Sequence, residues 1–159
     1  MNIGLDIHGV ISINPSFYSQ FSRIAVDQGH EIHILTGSLL TKSLLEELKS
    51  YDVTWNHLFS ISEYHKTLGT SITYTAPNNP WMDAEEWNKT KAEYCLRNGI
   101  DFHIDDTEHY GEYFETFFAL YDHKNLRLDW HFKNKKNGAL KLHSPEETLK
   151  LIHQIILKI

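Results

Sequence analysis

Along this chain, short uninterrupted apolar runs alternate with longer stretches whose apolar residues recur three and four positions apart. The first run, Ile3 to Ile7, breaks at His8-Gly9 and predicts a buried strand that ends in a loop. After Pro15, the positions of Phe17, Phe21, Ile24 and Ala25 predict a helix over Ser16 to Gln28, which Gly29 can end. Glu31 to Leu35 predicts a second buried strand, closed by Thr36-Gly37-Ser38, and Leu39 to Ser50 a helix with Leu44, Leu45 and Leu48 on one side. Residues 55 to 68 read as helical, Ser71 to Thr75 as β-rich with its end at Ala76-Pro77, and Asn78 to Trp81 as a loop. A helix over Asp83 to Asn98, closed by Gly99, leads into a short strand, Ile100 to Ile104, that runs into Asp105-Asp106. Thr116 to Tyr121 and Ala139 to Leu142 read as strands. Ser144-Pro145-Glu146-Glu147 then opens a last helix whose apolar face is Leu149, Ile152, Ile155 and Ile156. This alternation predicts an α/β fold, a three-layer sandwich around a mainly parallel, Rossmann-like sheet.

Composition narrows the class. With 159 residues, 41% hydrophobic and 23% charged, the chain has the make-up of an ordinary globular protein, and residues 1–159 are expected to form one domain. Cys95 is the one cysteine, which excludes an internal disulfide and points to a reducing, cytoplasmic setting; on a helix beside Leu96 it reads as a packed small hydrophobe. The start MNIGLDIHGV lacks the pattern of a signal peptide, and no apolar run has membrane-spanning length, so no membrane association is expected. The formal charge is −6, and neither half of the chain is basic. One stretch departs from that balance: Lys124, Arg127, Lys133, Lys135, Lys136 and Lys141 face only Asp129, as a solvated hairpin or as a patch that grips a polyanion.

In an open parallel sheet, ligands bind beyond the carboxyl ends of the strands, so the polar residues that follow apolar runs are the candidates for chemistry. The first strand supplies Asp6 and His8, the second Thr36, Gly37 and Ser38, and the strand of the last third Asp105 and Asp106. Lys89 and Lys91 lie on the helix leading into that third strand and bring an ammonium to the same edge. Clustered carboxylates raise one another's pKa unless a cation neutralises them, and hard oxygen ligands favour Mg²⁺. A lysine and a hydroxyl then suit a phosphoryl group, and an aspartate can act as nucleophile. Taken singly, each aspartate could equally be a helix cap. His30 and His33, three apart around a strand, face opposite sides and make no zinc site by themselves. His103 shares a face with Asp105 and reads as a core or supporting group. Trp81 and Trp87 read as core packing or as a platform for substrate stacking.

The segments GLDIHGV, HILTGS, KAEYCLRNGI and FHIDDT, in this order over residues 3 to 107, resemble the four motifs of the haloacid dehalogenase superfamily. The resemblance implies magnesium-dependent phosphohydrolysis on a Rossmann-like core. It implies Asp6 as nucleophile and Mg²⁺ ligand, with the backbone carbonyl of His8 as a further ligand. Thr36 takes the phosphate-binding role with Gly37 and Ser38 beside it, Lys91 steadies nucleophile and phosphate, and Asp105 and Asp106 form the acidic metal pair. Lys91 is preferred to Lys89 because it opens KAEYCLRNGI.

The chain departs from the family pattern at one place, where His8 stands in the position of the usual second aspartate, the general acid and base. Histidine can carry that proton, and a phosphate-binding or regulatory domain without efficient turnover is the alternative function. Receiver domains of two-component signalling use a similar residue set, but their acidic pair comes first in the chain rather than last. Only 29 residues separate Asp6 from Thr36 and 54 separate Thr36 from Lys91, too few for a full cap domain. Capless members of the resembling superfamily commonly act on large substrates or complete their sites by oligomerising. The expected partner is therefore a phosphorylated substrate, with a nucleotide or nucleic-acid phosphate and a homo-oligomer as the specific expectations.

Overall fold

The structure is a computed structural model that describes residues 1–76 and 79–159. The chain runs β1 (Asn2–Leu5), α1 (Pro15–Asp27), β2 (Glu31–Thr36), α2 (Lys42–Ser50), β3 (His57–Ser60), α3 (Ile61–Thr67), β4 (Thr73–Ala76), β5 (Asn79–Trp81) and α4 (Ala84–Arg97). It continues with β6 (Phe102–Asp105), β7 (Phe117–Asp122), β8 (Arg127–Phe132), β9 (Lys135–Lys141) and α5 (Pro145–Leu157). Seven strands form one sheet in the order β3-β2-β1-β6-β7-β8-β9, parallel from β3 to β7 and antiparallel at β8 and β9. The fold is α/β with a mainly parallel sheet flanked by helices, consistent with a Rossmann-like sandwich.

Strand alternation divides the core between the two faces. Ile3, Leu5, Ile32, Ile34, Phe102 and Ile104 join a cluster with Phe21 of α1, Leu48 of α2 and Ile152 of α5. Leu35 and Phe118 point the other way, into a second cluster with Ile61 of α3 and Cys95 of α4. Cys95 is fully buried there, and burial pushes its thiol well above its usual range. Helix starts follow sequence signals. The side chains of Thr41, Ser60, Asp83 and Ser144 accept the backbone N–H three residues on, each such cap contributing about 1 kcal/mol.

Several expectations are corrected. Residues 55 to 68 are not one helix: β3 comes first, and Ser60 both ends that strand and caps α3. Residues 79–81, expected in a loop, pair with β4 in a two-stranded ribbon, while Pro77 and Asn78 lie outside the described residues. The basic segment is an antiparallel hairpin with a tight turn at Lys133-Asn134, where both residues take positive φ, and its second strand begins at Lys135 rather than Ala139. No helix among the described residues is long and apolar enough to cross a membrane.

Candidate functional site

Polar side chains converge where β1 and β6 end side by side. The parallel register Leu5↔Ile104 sets Asp6 beside Asp105, and the Asp6 N–H donates to the Ile104 carbonyl at 3.0 Å, carrying the pairing one step past the strand. The chain then makes a single wide turn, Ile7–Ile11, that is broken by extended backbone at His8 and by Gly9 at φ +88°. Only a residue without a side chain fits at Gly9, for a Cβ there would fall 1.9 Å from Asp106 Oδ2. The Asp106 carboxylate thus lies against the bare α-carbon of the turn.

Lys91 crosses from α4 to join these ends. Its Nζ donates to Asp6 Oδ1 at 2.7 Å and to Asp105 Oδ2 at 2.6 Å, with the lysine side chain only 1% exposed. Lys89 instead pairs with Glu86 at the surface. Asp105 has further donors: His103 Nε2 lies 3.1 Å from the same Oδ2, and the Thr107 N–H donates to Oδ1 at 3.0 Å. Tyr110, which sequence reasoning missed, lays its ring 4.9 Å from Lys91 Nζ and accepts a hydrogen bond from Trp87 Nε1 at 2.9 Å. The Trp87 ring rests against Gly37, where a Cβ would meet its Cζ2 at 2.7 Å. Trp87 therefore braces the loop after β2 against the lysine, whereas Trp81 is 66% exposed on the β4–β5 ribbon.

The unequal support splits the two aspartates. Burial raises Asp6 to about 7, outweighing the attraction of its single lysine bond, and the Asp105 charge adds to the rise. Burial also works against the Asp105 carboxylate, but Lys91 and His103 overcome it and hold Asp105 at about 2. Asp106 is raised by partial burial and by Asp105, and burial keeps His103 neutral by lowering its pKa. Lys91 stays charged because its two carboxylates outweigh its desolvation. Carboxylate oxygens of Asp6, Asp105 and Asp106 all lie within 4.8 Å of one another, facing one ammonium. That donor set fits a hard divalent cation, which would remove the excess negative charge that drives Asp6 up.

The neighbouring strand end is pinned from below. Ser60 Oγ donates to the Ser38 carbonyl at 2.6 Å and Ser62 Oγ to the Gly37 carbonyl at 2.5 Å, while Thr36 Oγ1 accepts the Ser38 N–H at 3.2 Å. Thr36 is buried, and a hydroxyl that accepts one hydrogen bond can still donate another. His8 is not part of the Lys91 network. Its side chain is half-exposed, with Nε2 3.0 Å from Glu47 Oε1 of α2, and it lines a surface cleft of about 240 Å³ with Ser38, Thr41 and Ser43.

Comparison of the chain with models of known protein families, with curated proteins and with solved structures gives no match.

Proposed function

We propose that this chain is a magnesium-dependent phosphohydrolase of the haloacid dehalogenase-like type, hydrolysing phosphomonoesters through an aspartyl-phosphate on Asp6. The observation that carries the reading is that Lys91 bonds Asp6 and Asp105 together at the carboxyl edge of the sheet, with Asp106 beside them. Asp6, Asp105, Asp106 and the His8 carbonyl would hold Mg²⁺, which would supply positive charge to polarise the phosphoryl oxygens.

Asp6 Oδ1 is occupied by Lys91, so Oδ2 is the oxygen that attacks phosphorus. The bond from phosphorus to the leaving oxygen breaks as that oxygen takes a proton from His8. Water, giving a proton back to His8, then attacks the aspartyl-phosphate, releases inorganic phosphate and restores the carboxylate. Lys91 and the Thr36 hydroxyl, with the Gly37-Ser38 backbone, hold phosphoryl oxygens as their charge grows.

The ribbon β4–β5 is the extra element between α3 and α4, far smaller than a lid domain, which favours a large substrate. With the exposed lysines of the β8–β9 hairpin, that points to a nucleotide or nucleic-acid phosphate, handled in the cytoplasm by a chain that completes its site as a homo-oligomer. A second reading, a phosphate-binding regulatory domain with little turnover, is favoured by one contact: His8 Nε2 is engaged by Glu47. Phosphorylated metabolites and end-phosphorylated oligonucleotides screened with Mg²⁺ and with EDTA separate the two. Metal-dependent phosphate release supports the hydrolase, whereas binding without release supports the regulatory domain.

A further inference from the structure

A second cluster of metal-binding side chains lies at the opposite end of β2. Glu31 opens that strand and Thr36 ends it, a separation of roughly 16 Å at strand rise. His33 is two residues after Glu31 and so shares its face, and the parallel register His33↔His57 brings the first residue of β3 alongside. The two imidazole rings stack with centroids 4.3 Å apart. Glu31 Oε2 lies 3.5 Å from His33 Nε2 and 3.3 Å from His57 Nε2. All three ligand atoms fall within 4.8 Å of one another.

We propose that Glu31 Oε2, His33 Nε2 and His57 Nε2 form a site for a transition-metal dication of the zinc class, separate from the acidic site at Asp6. Two imidazoles and one carboxylate are a borderline-soft set that suits Zn²⁺ and not Mg²⁺. Metal–ligand bonds of about 2.0–2.1 Å in a tetrahedron place donors roughly 3.3–3.4 Å apart; the His57 distance to Glu31, 3.3 Å, matches that edge and the His33 distance, 3.5 Å, lies close to it.

An independent observation points to a cation. His33 is 3% exposed, and its Nε2 has no hydrogen-bond partner although it faces the Glu31 carboxylate. Its other nitrogen, Nδ1, is 2.9 Å from Tyr94 Oη of α4, and Tyr94 is itself stacked on Phe59. In the tautomer whose Nδ1–H donates to Tyr94 Oη, the lone pair of Nε2 faces the Glu31 carboxylate, and a cation between them would resolve the opposition. Glu31 and His57 are half-exposed, which leaves a fourth position open to water or to an exchangeable ligand.

The test titrates Zn²⁺ alone into the full chain carrying Asp105→Ala, which weakens the acidic site, and repeats the titration with Co²⁺ while following its visible absorption. Expected are one bound equivalent, the intense spectrum of tetrahedral Co²⁺, and at least tenfold weaker binding on adding either His57→Ala or Glu31→Gln, both exposed positions that leave the core intact. Tyr94→Phe should weaken binding about tenfold by releasing the His33 ring. Zn²⁺ affinity unchanged by His57→Ala and Glu31→Gln, or an octahedral Co²⁺ spectrum, would overturn the proposal whatever the chain's activity toward phosphate esters.

Discussion

The imidazole of His103 fills the space above Gly4, its register partner across β1 and β6: a Cβ on Gly4 would lie 2.5 Å from His103 Nδ1. The bare glycine lets a fully buried ring lie flat beside the strand, parallel to Phe114, with Nε2 directed at Asp105. Gly4→Ala should therefore cost about 1–3 kcal/mol by overpacking. His103→Ala in the same chain should return part of that loss, and denaturant midpoints of the two single variants and the double variant measure the coupling.

Lys91 is a fully buried cation whose two partners are buried carboxylates. Lys91→Met keeps the volume but strands both negative charges, and should destabilise the metal-free fold by about 3–5 kcal/mol at neutral pH. Without the ammonium both carboxyls favour their protonated forms in the fold, Asp6 already titrating at about 7 with the lysine present, so the loss should shrink steadily as the pH falls below neutrality. Lys89→Met, at the surface, should change stability by less than about 0.5 kcal/mol.

Asp6 carries the cost of burying a carboxylate beside two others that share one ammonium. Its folded value of about 7 stands above the unfolded 3.8, so between these values the fold binds more protons than the unfolded chain. Stability therefore falls as pH rises through that window, and the full penalty is present above it. Asp105 has the opposite sign: held at about 2, it adds stability above its unfolded value that disappears as the pH falls toward 2. Asp6→Asn should raise the melting temperature of the metal-free protein at pH 8, by on the order of 2 kcal/mol in free energy, and change it little at pH 4. Saturating Mg²⁺ should narrow the difference at pH 8 by stabilising only the unsubstituted protein.

Much of this site could be read from the chain alone because buried parallel strands are apolar runs, and the first polar residue after each run marks the sheet edge. Asp6, Thr36 and Asp105 are all found in that way. The Glu31–His33–His57 cluster was hidden for a local reason. His57-Leu58-Phe59-Ser60 is a four-residue edge strand that passes into α3 without a break, so its apolar residues merge with those of the helix. Ser60 followed by Glu63 has the spacing of a capping box and was the signal that the helix begins only there. Tyr110 carries no such signal: it reaches Lys91 from a short turn of 3₁₀ helix, Glu108–Tyr113, by tertiary packing alone.

Gly9 offers a way to move Asp106 without touching it. Gly9→Ala combines a strained φ with a collision against the Asp106 carboxylate, and should weaken Mg²⁺ binding at least tenfold while costing about 1–2 kcal/mol of stability. Calorimetric titration of Mg²⁺ into this variant and into Asp105→Ala should reveal the same defect.

Acid-quench trapping of labelled phosphate on the protein, during turnover of an aryl phosphate, tests most directly whether Asp6 is phosphorylated and dephosphorylated in turn. Label on Asp6 is expected in Mg²⁺, lost on treatment with hydroxylamine, with neither label nor phosphate release in EDTA or in Asp6→Asn. Phosphate release that continues undiminished in Asp6→Asn, or turnover with no label at Asp6, would contradict it.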